Sequence, residues 1–433
     1  MSLAVGKLDA RAARPLPAAG HSLGSIRPGF KRLVLIYLWI VIATGCFVFV
    51  EPAPYDVLLP GATIVIPIAG LIALPRTLSV YLLLVCGIVA GGYVASTQAG
   101  ILDVPVRHVT ITLYLALSSV VLVAFVAYNP LPHARLIMSA YLAAALVASI
   151  AALIGYFNVV PAFHDVLTEF GRARGTFKDA NVLGAFLVPP ALYALNGMLN
   201  ARAPKALLWS LALGILLLAT LLTFSRGAWL NAAVGFMAFG FFAFVLSDSN
   251  RKRIRLFVLG AIASAGLIGG LVAIATLPGV WERLGERASF EQSYDLGPEG
   301  RFAGQQKAAE LVASHPLGIG ALEFARLHHP EDVHQVFLNM YLNTGWFGGT
   351  LYLLLVLGTL ALGLRLVLRD RQSAGLTIVL LAAFLGIVIE GFVVDTNHWR
   401  HFYLIMALIW GMAASKATQR PLSGRPAVGP MPR

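Results

Sequence analysis

Apolar stretches of about eighteen residues recur along most of this chain, and they leave it few ways to fold. Backbone N–H and C=O groups inside a bilayer find no water, so a run of that length and composition is a helix crossing the membrane. Twelve spans can be drawn, roughly at 33–50, 57–74, 78–95, 109–127, 136–155, 182–199, 206–224, 228–246, 256–276, 336–362, 374–394 and 402–415. The 336–362 span is long enough to tilt or to begin outside the bilayer, and the last is short. Of the 433 residues, 58% are hydrophobic and 12% charged, against about 25% charged in soluble domains. The expected fold is an all-α integral membrane protein with about 12 transmembrane helices. One long polar interval, 277–335, interrupts it. A structureless loop longer than about 15 residues is uncommon unless it works for a living site, so this interval is read as functional and as containing short helices.

The chain divides into a basic tail at 1–32, nine helices over 33–276, the loop 277–335, three helices over 336–415 and a basic tail at 416–433. Placing the N-terminus in the cytoplasm puts 21 of the 32 Lys and Arg on the inner side and 17 of the 20 acids on the outer side. That basic bias sets both termini inside and the long loop outside. The net charge of +12 is thereby a topology signal, and nucleic acid is not an expected partner. Cys46 and Cys86 both lie in apolar runs, so there is neither a disulfide framework nor a metal-binding spacing. The first apolar run lacks a small-residue cleavage site and reads as a retained helix. No internal repeat or inverted symmetry is evident, which argues against the common transporter architectures.

Distant segments meet on the outer face under this topology. Arg226 sits in Thr223-Phe224-Ser225-Arg226-Gly227 with spans hard against both sides. It fits a headgroup anchor on position alone, but with no acid nearby its planar fork suits a phosphate. Gly171 to Asn181 carries Arg172, Arg174 and Lys178 just before a helix, which makes either an anion cradle or a solvated loop. Arg301 opens a helix-forming stretch, Phe302 to Ser314, which His315-Pro316-Leu317-Gly318-Ile319-Gly320 ends. His334 stands at the start of a span, and Gln335, Asn339 and Asn343 follow at helical spacing as one polar stripe. Such a stripe faces the bundle interior, as interhelical glue or as the wall of a polar cavity, and an imidazole beside a cavity can move protons. His328 and His329 read as plain loop residues, and no spacing marks a metal site.

Together these segments resemble the O-antigen ligase family. His334-Gln335, nine residues, Gly345, two residues and Gly348 is similar to its signature of His, then Asn, Ser or Gln, nine residues, Gly, two residues, and Gly, Thr or Tyr. In order before it stand Arg174-Gly175-Thr176-Phe177 with Asn181, Phe224-Ser225-Arg226-Gly227, Gly300-Arg301 and the His315 to Gly320 stretch. The resemblance covers about residues 160–350, and Gln335 stands where Asn is frequent. It implies a bacterial inner-membrane enzyme whose long loop is periplasmic. Such enzymes move a glycan from undecaprenyl diphosphate to an acceptor hydroxyl on lipid A-core or on a growing glycan. It implies diphosphate binding by Arg226 and Arg301, joined here by Arg172 and Arg174, and a base at His334 beside a cavity lined by Gln335, Asn339 and Asn343. It implies no cofactor or metal. A polymerase of O-antigen or exopolysaccharide repeats is the alternative within the family, and a transporter or flippase of an anionic lipid-linked glycan is the alternative of another class.

Overall fold

The computed structural model describes residues 27–247, 300–369 and 373–418, with positions 249–251, 253, 254, 256, 258, 260, 269, 285 and 297 between them. Most of the span expected at 256–276, most of 277–299 and nearly all of both basic tails lie outside the described residues.

The helices run α1 (Pro28–Ala43), α2 (Pro54–Ile68), α3 (Arg76–Ser96), α4 (Asp103–Tyr128), α5 (Pro130–Tyr156) and the short α6 (His164–Leu167). A hairpin of β1 (Thr168–Glu169) and β2 (Arg172–Ala173) follows, paired Thr168 to Ala173 and Glu169 to Arg172. Then come α7 (Ala180–Asn200), α8 (Ala203–Leu222), α9 (Arg226–Val245), α10 (Arg301–Ser314), α11 (Glu323–Leu327), α12 (Val336–Arg369), α13 (Ala374–Glu390) and α14 (Arg400–Thr418). Among the described residues eight helices are long and apolar enough to cross a membrane, and three more are apolar but shorter. The protein is a multi-pass, mostly helical membrane protein.

Burial separates an inner from an outer set. Every residue from His401 to Met412 is buried, and α13 is covered almost as fully. Around this pair α14 packs on α4, α13 on α9, and α12 on α3. The rim helices expose broad apolar faces, such as Leu207, Leu208 and Leu211 on α8 and Met237 and Phe241 on α9. Lipid tails are as apolar as leucine, so helix association depends on close packing of small residues rather than on apolar burial. The α3–α12 contact has that character. A Cβ on Gly91 would stand 2.6 Å from Thr344 O and 3.0 Å from the Cα of Gly348.

α12 is not one helix. Gly345 has φ 67° and ψ −178°, so Val336–Arg369 is two helical segments meeting at a break, and it runs beyond the expected end at 362. The apolar pattern continues through Gly345, and a glycine inside a helical pattern marks a break only in context. Broken backbone groups at membrane depth need protein partners. Here the loop 316–320 provides them. Ile319 N and Gly320 N donate to Leu342 O at 2.8 and 3.3 Å, and Trp346 N donates to Pro316 O at 2.8 Å. The loop is a plug in the break, held by its own glycine at Gly318, φ 80°.

A Cβ on Gly345 would fall 2.8 Å from backbone atoms of Leu317 and Pro316, at a φ and ψ that only glycine tolerates. Gly345→Ala is expected to cost about 2–4 kcal/mol, seen as a lower melting temperature of the detergent-solubilised protein; unchanged melting would show that the break can close.

Candidate functional site

The plug fixes the chain that leads into α12. Val333 is buried in a small core with Ala308, Ile319, Phe324 and Leu342, and Val336 is buried on the other side of His334. Val336 N also donates to Gly391 O at 2.8 Å. His334 is pinned between these two anchors in the left-handed region, φ 48°. A non-glycine residue held there is strained, and such strain is found where the surroundings over-determine a functional position. Its side chain is 38% exposed, with Nε2 3.5 Å from Glu331 Oε2.

The residues after His334 divide their tasks. Gln335 caps α12, its Oε1 accepting Leu338 N at 2.6 Å. Asn339 is buried and faces Asp395 on the segment joining α13 to α14. One turn further, Asn343 lines a cavity of about 10 Å³ with His108, Thr112, Thr344 and Asn397, roughly the room one water needs. Ile88, Val89, Val109 and Met340, with Gly92, make the rest of its wall, which is mostly apolar. His108 and His398 stack with ring centres 3.9 Å apart, and Thr112 Oγ1 and His398 Nε2 are hydrogen-bonded at 2.7 Å. Burial, and then the neighbouring His108, push His398 down to about 3, so it stays neutral.

Asp395 was not singled out from the sequence. It lies in Val394-Asp395-Thr396-Asn397-His398, between two apolar stretches, and an acid hard against a span was the available signal. Burial raises its carboxyl above the ordinary value. The Asn339 amide, His334 and Arg301 pull it back down, while Asp332 adds to the rise. His334, Arg301, Asn339 and Asp332 therefore all act on one carboxylate. Asp332 is also raised by burial, against the pull of His334. The Asp395 segment is anchored from outside, because Arg400 grips Asp56 of α2 through both oxygens, at 2.7 and 2.5 Å.

Arg301 is the first residue of α10, which begins after the extended Gly300. A Cβ on Gly304, one turn along, would lie 3.1–3.3 Å from the ring of His329. His329, expected as a plain loop residue, is buried and stacks on Phe324. It seats α10, and with it Arg301, against the loop core. Arg226 is the first residue of α9, capped by Ser225, whose Oγ accepts Ala228 N at 3.2 Å. The next residue packs against the Asp395 segment, since a Cβ on Gly227 would meet Glu390 Oε1 at 2.9 Å and Val394 at 3.2 Å.

The other two arginines hold structure. Arg172 Nε donates to Thr223 O at 2.7 Å and Nη2 to Asn181 Oδ1 at 2.6 Å, tying the hairpin to the turn that carries Arg226. Arg174 donates to Val166 O at 3.1 Å, Asp165 O at 3.3 Å and Lys178 O at 3.5 Å, and lies 3.9 Å from Glu169. The N-terminus of α7, readable from the sequence as either an anion cradle or a solvated loop, is capped by its own Asp179, which accepts Asn181 N at 2.7 Å. Among the described residues no group of three or more His, Cys, Asp or Glu is placed to hold a metal ion.

Residues 211–353 match the family described as O-antigen ligase, a stretch that contains Arg226, Arg301, His334, Gln335, Asn339 and Asn343. Arg172, Arg174 and Asp395 fall outside it. A comparison with curated proteins gives no match.

Asp56→Asn would leave the half-buried guanidinium of Arg400 without its carboxylate. A loss of about 1.5–3 kcal/mol is expected, read as a lower melting temperature, and Arg400→Lys with Asp56 intact should lose much of the same amount because a single ammonium cannot bridge both oxygens. Melting like that of the unaltered protein would remove this anchor from the account.

Proposed function

We propose that this chain, a member of the O-antigen ligase and polymerase family by its match over residues 211–353, is a glycosyltransferase of the periplasmic face of a bacterial inner membrane. It moves a glycan from undecaprenyl diphosphate to an acceptor hydroxyl, with lipid A-core as the acceptor of the ligase reading. The observation that carries the proposal is the convergence on Asp395 of a strained, accessible histidine and the arginine that opens the loop. The basic bias of the loops on the opposite side supports the periplasmic orientation.

A hydroxyl is a weak nucleophile until a base takes its proton. His334 is that base in this proposal. Its imidazole accepts the acceptor proton as the hydroxyl oxygen bonds to the anomeric carbon and the bond from that carbon to the diphosphate oxygen breaks. Glu331 Oε2 lies 3.5 Å from His334 Nε2 and Asp395 interacts with the same ring, so these carboxyl groups are placed to hold the imidazole in orientation, a role carboxylates play beside catalytic histidines. Undecaprenyl diphosphate departs with negative charge, and arginines aimed at it stabilise that charge as it develops. Arg301 and Arg226 form the clamp. Arg172 positions the Arg226 turn, and Arg174 acts further out, because its guanidinium is already committed to three carbonyls. Asn339 holds Asp395, Gln335 caps the helix, and Asn343 continues the polar face inward. The donor is already energy-rich, so the transfer needs no nucleotide.

His334→Ala should lower transfer by about 10²–10⁴-fold while the protein still inserts and melts normally. Arg301→Lys and Arg226→Lys keep charge but lose the fork, and should lower transfer roughly tenfold to a hundredfold. Purified protein with a lipid-linked glycan and acceptor is the assay, and full activity of His334→Ala would remove the base assignment. Gene deletion separates the two family reactions. Long free polymer that fails to reach lipid A-core means a ligase; single repeat units mean a polymerase.

A further inference from the structure

The hairpin side of the bundle carries an apolar surface that the transfer reaction does not use. α5 ends at Tyr156, and its exposed residues Val147 and Ile150 lie on one face, three apart. Phe157 continues that face at seven residues from Ile150, and beyond the helix Val159, Val160, Phe163 and Val166 are all exposed. The series ends at Phe170, 92% exposed at the tip of the β1–β2 hairpin. Its φ of 49° is the cost of presenting a bulky aromatic outward at a turn where glycine is usual.

Exposed side chains alone would describe a solvated loop. The backbone does not. Val159 N donates to Ile154 O at 3.0 Å, Phe163 N to Val160 O at 2.9 Å, and Arg174 N and Gly175 N both to Leu167 O at 3.1 and 2.9 Å. His164 Nδ1 donates to Gly155 O at 2.8 Å and Thr168 Oγ1 to His164 O at 2.7 Å. Arg174 covers the carbonyls of Asp165, Val166 and Lys178. A segment that caps the carbonyls of Gly155, Val160, His164 and Leu167 internally and exposes mainly apolar side chains, with Asn158 and Asp165 as the exposed polar exceptions, is suited to the edge of the hydrocarbon. Bulk solvent would satisfy the carbonyls under Arg174 without an arginine.

We propose that residues 157–170 form a wedge seated in one leaflet of the bilayer, its apolar side chains against phospholipid acyl chains. Continuity makes lipid the occupant, since the wedge prolongs the exposed apolar stripe of α5 with no polar residue between Ile150 and Phe157 except Tyr156. Asp165, Glu169 and His164 lie on the same segment, the mixture of apolar and charged residues that interfacial anchors carry. The wedge then braces the Arg172 contact to Thr223 from the lipid side.

The chain is suited to a direct test, because it has two cysteines and Cys46 is buried. In a Cys86→Ser background, Phe170→Cys and separately Val159→Cys carry a nitroxide, and the full chain is placed in phospholipid nanodiscs. Both native residues are exposed, so neither change disturbs packing. Power saturation compares collisions with oxygen, which concentrates in hydrocarbon, and with a water-soluble nickel chelate. Labels at 170 and 159 should favour oxygen as strongly as a Val147→Cys label, and a Glu310→Cys label should favour nickel. Nickel-dominated collisions at both wedge positions would overturn the proposal. So would an oxygen signature that arises only after undecaprenyl diphosphate is added, because the occupant would then be the carrier lipid.

Discussion

A break in α12 organises this end of the molecule. At Gly345 the helix stops donating to itself, and the loop 316–320 supplies the partners that Leu342 O and Trp346 N need. Backbone groups left open at membrane depth cost several kcal/mol each, so loop and half-helix can only exist together. The consequence reaches His334 by two routes. Ile319 of the plug and Leu342 of the half-helix are members of the same small core as Val333. The half-helix begins with Val336, tied to Gly391 at the end of α13. His334 is strained because both of its neighbours are fixed.

From that fixed point the site is assembled by long-range packing. The Asp395 segment enters from the far end of the chain and is held by Arg400 on Asp56, by the Asn339 face, and by the close fit of Gly227 against Glu390 and Val394. Arg301 enters on α10, seated over the ring of His329. The half-buried stack of His108 and His398 lies against the same segment. Each contact is modest. Their sum places basic, acidic and amide groups around one partly exposed imidazole, which is the arrangement that proton abstraction next to an anionic leaving group requires.

The membrane class and the helical character were readable because a bilayer imposes length and apolarity on each span. The places of His334 and Arg226 beside the starts of α12 and α9 were readable for a related reason, since polar residues at the edge of a span stand out. The resemblance pointed the same way, and residues 211–353 match that family. Other features depended on geometry that a sequence does not display. The break at Gly345 shows only in its φ and ψ. His329 looked like a loop residue until α10 was found resting on it. Asp395 belongs to the site through pairings more than fifty residues apart. Arg174 has the composition of an anion ligand, and only its three carbonyl contacts show it bracing its own loop.

The central claim is a division of labour, with arginines gripping the diphosphate and His334 acting on the acceptor. Binding of undecaprenyl diphosphate, measured by native mass spectrometry on the purified protein without acceptor, addresses it most directly. The account predicts that Arg301→Lys weakens binding about tenfold or more, whereas His334→Ala binds the lipid as the unaltered protein does. Equal loss in the two variants, or loss in the histidine variant alone, would contradict it.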